Sequence, residues 1–241
     1  MKNKPIRVTL VSFPRSGRSW LESMLTDISQ RIGVDLRLKT THDGGKIWKA
    51  RKPRGHKPPS WFNNRRVIHL VRDPRDTTTS MYFFMKFRFC CSRIYLSDIS
   101  CFIRSIYGLP FAVDHLNRWT RKVHQCETYV RLAYEDLHGQ IAMSTMKNIC
   151  NFIGFSVDDR LLNDVINTWT LDRVRASEDP KWARRFFERE LLPDESHCRR
   201  GVAQAAKLDV SDNDMDYMNA YIEEHLSDEY KFYKRRMKEK C

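Results

Sequence analysis

The 241 residues, 41% of them hydrophobic, suffice for one well-packed domain and fall short of two comfortable ones. Forty-three Lys and Arg against 30 Asp and Glu leave a formal charge of +13, which concentrates anionic partners and leaves nucleotides, nucleic acids, acidic glycans and anionic membranes all open. No stretch approaches the roughly 20 apolar residues of a membrane span, Met1 to Pro5 runs into a strand-like segment too short and polar for a signal peptide, and seven Cys without a CxxC pair or zinc-type spacing argue against a disulfide framework. A cytoplasmic chain with reduced thiols is expected.

Ile6 to Ser12 is a short, apolar, β-branched run, followed by a turn containing Pro14 and Gly17 and a helical pattern from Ser19 to Arg31. Leu36 to Thr40 reads as a weaker strand, Val67 to Val71 as a buried one leading into a helix that reaches about Phe89, and Tyr129 to Ala133 as another. Helices are predicted over 97–107, 111–126, 136–155, 158–169 and 212–225. Strands that alternate with helices predict an α/β domain over 1–241, with a central parallel sheet covered by helices on both faces. Ligands of such sheets sit beyond the carboxyl ends of the strands, so the loops that follow strands carry the functional information. Lys46 to Arg66 is rich in Lys, Arg and Pro, carries Trp48 and Trp61, and contains no acid. Its prolines predict a long mobile basic loop within the domain.

The first of the post-strand loops is Ser12-Phe13-Pro14-Arg15-Ser16-Gly17-Arg18-Ser19-Trp20. A helix N-terminus offers unpaired N–H groups and partial positive charge to an anion. Gly17 allows close backbone approach, Ser16 and Ser19 add hydroxyls, and Arg15 and Arg18 supply fixed charge. The loop lacks the earlier Gly and the Lys of an ATP-type P-loop. Taken alone, it would serve equally as an ordinary strand-to-helix turn with exposed arginines.

After the second buried strand come Arg72-Asp73-Pro74-Arg75-Asp76 and the segment that runs through Ser80 to Phe84. Arg72 emerges where a phosphate can be gripped in bidentate fashion, Pro74 suits a first helical turn, and Ser80 lies about two turns in. A structural ion pair between Arg72 and Asp76 is the alternative. Between the two loops lies Lys39-Thr40-Thr41-His42-Asp43. A His titrates near neutrality and can accept the proton of an attacking hydroxyl, although a lone His also serves as a structural residue.

Ser12 to Trp20 resembles the 5′-phosphosulfate loop of sulfotransferases that use PAPS (3′-phosphoadenosine 5′-phosphosulfate), whose pattern is Tyr-Pro-Lys/Arg-Ser-Gly-Thr-Thr-Trp. Arg72 to Phe84 is similar to that family's 3′-phosphate motif. The resemblance implies a three-layer sandwich with a P-loop nucleotide-kinase-like fold. It further implies that Arg15, Ser16, Gly17, Arg18 and Ser19 hold the 5′-phosphosulfate, that Trp20 packs on adenine, and that Arg72 and Ser80 bind the 3′-phosphate. His42 falls where the family's Lys-Thr-His segment carries its base. Tyr134-Glu135-Asp136-Leu137 resembles the segment whose Tyr reaches the adenine, and Arg199-Arg200-Gly201 the closing motif near the 3′-phosphate. Without the family, these two read as a strand end with a helix cap and as a basic turn. Arg18 stands where a Thr is usual, and Gln204-Ala205-Ala206 replaces the usual Gly-Asp-Trp continuation.

The implied reaction is in-line transfer of a sulfuryl group from PAPS to a hydroxyl or amine of a small-molecule acceptor, with 3′,5′-ADP as product. Arg15 would stabilise charge on the bridging oxygen and His42 would act as general base, with no metal expected. Two alternatives stay open: a kinase or phosphotransferase using ATP and Mg²⁺, and a nucleic-acid-binding module built on the 46–66 segment. Under the transferase reading no nucleic-acid partner is expected, the 46–66 loop becomes a candidate acceptor lid, and the sequence leaves acceptor identity and oligomeric state undetermined.

Overall fold

The computed structural model of the chain describes residues 4–42, 65–88, 98–176 and 203–235. The predicted loop at 46–66 therefore lies outside the described residues except at its end, where Arg66 already opens a strand. The described residues divide into two compact units, one drawn from Met1–Arg72 and Lys122–Ala176, the other from Asp73–Arg121 and Ser177–Cys241.

The first unit is built on strands β1 (Ile6–Ser12), β2 (Leu36–Thr41), β3 (Arg66–Val71) and β4 (Thr128–Ala133). Their order is β2-β1-β3-β4 and every pairing is parallel, as the alternation of strands and helices predicts. Val8 pairs with Leu38 on one side and Arg66 on the other, while β3 and β4 run in register from Arg66–Thr128 to Val71–Ala133. From β1 the chain passes to β2 on one side and from β2 crosses to β3 on the other side of β1, so the carboxyl end of β1 is a topological switch point.

Alternate strand residues point the same way, and Val8, Leu10, Ile68, Leu70 and Leu132 form one apolar face. Against it pack Leu21, Met24, Leu25 and Ile28 of α1 (Arg18–Arg31), Met146, Ile149 and Ile153 of α5 (Ala142–Ile153), and Leu162 and Val165 of α6 (Asp159–Thr168). The spacing of three and four residues gives each helix one buried stripe. Each fully buried side chain of this size contributes about 1.5–3 kcal/mol. Cys150 lies in the same core, where burial pushes its thiol up to about 12, which makes it an inert packing residue.

The second unit contains α2 (Pro74–Arg88), α3 (Ile99–Arg104), α4 (Leu109–Lys122, through Arg121), α8 (Asp212–His225) and α9 (Lys231–Arg235); the short α7 (Leu171–Ala176) belongs to the first. Trp119, Met218, Ile222, Tyr230 and Tyr233 are fully buried. Arg75 lies 2.9 Å from the Asp73 carboxylate and donates to Asn219 Oδ1 and the Tyr233 carbonyl. Asp214, at the start of α8, accepts from Ser100, Ser211 and Arg104. Burial alone would raise that carboxyl, but these hydrogen bonds and the Arg104 charge bring it below its ordinary value.

Several predicted helices are shorter. The one expected over 136–155 begins only at Ala142, after 3-10 turns over Tyr134–Leu137 and Gly139–Ile141. His138 between them is extended and Gly139 has φ +67, so helical hydrogen bonding cannot pass through. The helix expected over 97–107 stops at Arg104 because Ser105 is extended. The 111–126 helix starts earlier, at Leu109 with Pro110 in its first turn, and ends at Lys122. No described helix is long and apolar enough to cross a membrane.

Candidate functional site

Parallel pairing places the carboxyl ends of all four strands at one edge of the sheet. The residues just beyond those ends are Phe13 to Gly17, His42, Arg72 and Tyr134. Three of these positions were singled out from sequence because they follow strands, and the sheet brings them together.

The loop after β1 takes an unusual path. Arg15 has φ +72 and Gly17 has φ +84, both left-handed, and Gly17 caps α1 without a side-chain hydrogen bond. For Arg15 this conformation costs about 1–2 kcal/mol, which the surrounding fold must offset. Ser16 is 1% exposed and its Oγ has no hydrogen-bond partner among the described residues, as is also true of Ser12 Oγ and Arg18 Nε. Burial lowers the Arg18 guanidinium pKa, with the Glu22 charge opposing. Ser19 is exposed. Buried donors without partners beside the first amides of a helix are the chemistry of a phosphate or sulfate cradle.

Arg72, 8% exposed, closes the cradle from β3. Its Nη1 donates to the Arg15 carbonyl at 3.1 Å, and its guanidinium carbon lies 4.3 Å from the centre of the Tyr134 ring. Tyr134 in turn lies against Gly17, where a Cβ would fall 2.4 Å from Cδ2 of the ring. Gly17 is therefore required twice over, by its φ and by the approach of the ring. His42 Nδ1 is 3.0 Å from the Ser12 carbonyl. A carbonyl only accepts, so Nδ1 carries a proton, and it is Nε2 that bears the lone pair whenever the ring is neutral.

Trp20 is fixed by its edge and its face. Its Nε1 donates to the Trp169 carbonyl at 2.6 Å, its ring lies 4.7 Å from His138 at 33°, and Tyr134 meets it edge-on at 5.7 Å. Trp169 donates its own Nε1 to Asp27 at 3.0 Å. The arrangement joins a heteroaromatic surface to a cationic cradle, which matches a nucleotide carrying phosphate or phosphosulfate groups. The family profile of the sulfotransferase domain matches residues 49–229. The chain belongs to this family of PAPS-dependent enzymes.

Among sulfotransferase relatives, Sulfotransferase 2A1 of Macaca fascicularis is 25% identical over 195 residues, which make up 71% of this chain and 67% of that protein. Mouse sulfotransferase SULT7A1, solved with PAP, has a TM-score of 0.65 at 16% identity and is matched over 95% of this chain and 88% of its own. Retinol dehydratase, solved with retinol and PAP, reaches 0.70 at 15% identity over 95% and 83%. These two likenesses establish the sulfotransferase fold of the chain.

Ser80 lies seven residues into α2 in the second unit, half-buried. In that unit Asp76 accepts from the backbone N–H groups of Gln204 and Ala206 at 2.8 and 2.9 Å, and Gln204 is left-handed at φ +59. The departure from Gly-Asp-Trp at 204–206 thus keeps a defined turn, bound by a carboxylate. Arg199, Arg200 and Gly201 lie outside the described residues, as does Asp43. Among the described residues no group of three His, Cys, Asp or Glu side chains could hold a metal ion. Sequence reasoning missed His138, the role of the Trp169 carbonyl, and the Asp76 anchor. The one available signal for His138 was a His directly after Tyr-Glu-Asp-Leu; nothing in the sequence pairs Trp20 with a carbonyl 149 residues away.

Proposed function

We propose that the chain transfers the sulfuryl group of PAPS to a hydroxyl or amine of a small-molecule acceptor. The observation that carries this reading is the meeting of Arg72, the loop over Arg15 to Gly17, and His42 beyond the carboxyl ends of adjacent strands. Arg15, Ser16, Gly17, Arg18 and Ser19 hold the 5′-phosphosulfate, Trp20 and Tyr134 take the adenine, and Arg72 takes the 3′-phosphate. The family resemblance adds Ser80 and Arg199 to Gly201 to that last role, with residues 1–241 acting as one catalytic domain. A neighbour of the same fold that holds retinol beside PAP supports a small-molecule acceptor.

In the proposed step the acceptor oxygen or nitrogen attacks sulfur in line with the departing phosphate. A bond from the acceptor to sulfur forms, the bond from sulfur to the bridging oxygen breaks, and the electron pair leaves on 3′,5′-ADP. His42 Nε2 takes the acceptor's proton; its partner nitrogen, held by the Ser12 carbonyl, fixes the tautomer for that task. Arg15 faces growing negative charge on the bridging oxygen and stabilises the transition state more than the ground state. An arginine does not readily surrender a proton, so its contribution is electrostatic.

The test is His42→Ala, assayed with labelled PAPS against a panel of acceptors, with 3′,5′-ADP affinity measured in parallel by calorimetry. Turnover is expected to fall at least a hundredfold while affinity for 3′,5′-ADP is retained. Full activity in the variant would remove His42 from the mechanism. Failure of the parent protein to bind 3′,5′-ADP would remove the donor assignment.

A further inference from the structure

His138 belongs to none of the motifs that mark the donor site, yet it occupies their aromatic side. Its ring lies 4.7 Å from Trp20, tilted by 33°, and 4.7 Å from Tyr134 in an edge arrangement. Tyr134 carries the Arg72 guanidinium at 4.3 Å on its ring. Three aromatic rings and one cation are thus in sequential contact. The imidazole Nε2 is buried and has no hydrogen-bond partner among the described residues.

Two further observations bear on what that nitrogen does. Its backbone is fixed, because His138 N donates to the Glu135 carbonyl and the residue is extended between two 3-10 turns, so the ring does not depend on a flexible segment for its position. Burial first, and the Arg72 charge second, hold the imidazole below its ordinary pKa. The ring is neutral around neutral pH, with one nitrogen donating and the other accepting. A buried polar atom without a protein partner is normally satisfied by ordered water or by a bound group.

We propose that His138 is a specificity-determining residue for the nucleotide, its neutral Nε2 accepting a hydrogen bond from the exocyclic amino group of the adenine that Trp20 and Tyr134 flank. The inference rests on the PAPS reading given above. The amino group is the only N–H donor that adenine offers in a nucleotide, and a phenyl ring in place of the imidazole would preserve the contact with Trp20 while removing the acceptor. His138 thereby makes the aromatic surface selective for adenine, where stacking alone would accept any base.

The experiment compares two ligands, 3′,5′-ADP and the 3′,5′-bisphosphate of purine riboside, which lacks the 6-amino group, against the parent protein and His138→Phe by calorimetry. The parent is expected to prefer 3′,5′-ADP by about fivefold, the value of one neutral hydrogen bond. His138→Phe should lose that preference by weakening 3′,5′-ADP alone. Equal weakening of both ligands would mean a purely structural role, and unchanged affinity for both would mean no role; either overturns the proposal. Should His138→Phe fold poorly, nitrogen NMR of the parent decides: the His138 imidazole nitrogen must shift with 3′,5′-ADP and not with the analogue. A parent that binds neither ligand refutes the donor reading instead, and one that binds both equally refutes only the role of His138.

Discussion

Gly17→Ala would strain the backbone and drive a methyl group into the Tyr134 ring. The residue sits at φ +84, where an added Cβ costs about 1–2 kcal/mol in backbone strain. The new methyl would lie 2.4 and 2.5 Å from Cδ2 and Cε2 of Tyr134. Ordinary carbon contacts are about 3.5–4.0 Å, so the ring must retreat by roughly 1 Å. That retreat disturbs the contact with Arg72, worth about 0.5–2 kcal/mol, and the edge contact with Trp20. A destabilisation of about 2–4 kcal/mol is expected in urea titration. Affinity for 3′,5′-ADP should drop at least tenfold, equivalent to about 1.4 kcal/mol. Gly33→Ala provides the control, for it shares the positive φ, +68, but has nothing within 4 Å of the added carbon. It should lose about 1–2 kcal/mol and keep its nucleotide affinity. If the two variants lost equal stability and both bound 3′,5′-ADP like the parent, the close approach of Tyr134 to the loop would be refuted.

Arg75→Met should destabilise the protein by about 3–5 kcal/mol, because it takes the guanidinium charge and its hydrogen bonds from the buried Asp73 carboxylate and the Tyr233 carbonyl; a denaturation midpoint like the parent's would contradict the buried network. Asp214 has a lowered carboxyl pKa, so its contribution to stability is complete above the ordinary value of 3.8 and is lost as pH falls through the lower folded value. Asp214→Asn should flatten that part of the acid-unfolding profile, and a profile identical to the parent's would show that the carboxylate carries no such linkage.

Much of the fold was legible because it is local. β1 and α8 fall where the apolar runs place them, and Pro74 opens α2 because its fixed φ suits a first turn. The helix predicted over 136–155 fails for a local reason too, since Gly139 adopts a conformation that apolar spacing does not register. The loop after β1 could be recognised by residue type, but its two left-handed positions could not. Asp76 shows the same limit from another side: nothing in the sequence links its carboxylate to the amides of Gln204 and Ala206, about 130 positions on, from which it accepts.

The sequence by itself determined the parts: an α/β chain, two Arg-bearing loops after strands, a His after a strand, and the family these belong to. Each is written in a few adjacent residues, because strand periodicity, turn formation and helix entry depend on near neighbours. Only the tertiary structure decided the assembly. Parallel pairing in the order β2-β1-β3-β4 brings His42 to the Ser12 carbonyl and Arg72 to the Arg15 carbonyl, and Trp20, Tyr134 and His138 meet only because α1 and the end of β4 pack at the same edge. These contacts join residues tens to more than a hundred positions apart, where the free energy of burial and the geometry of the sheet set the distance.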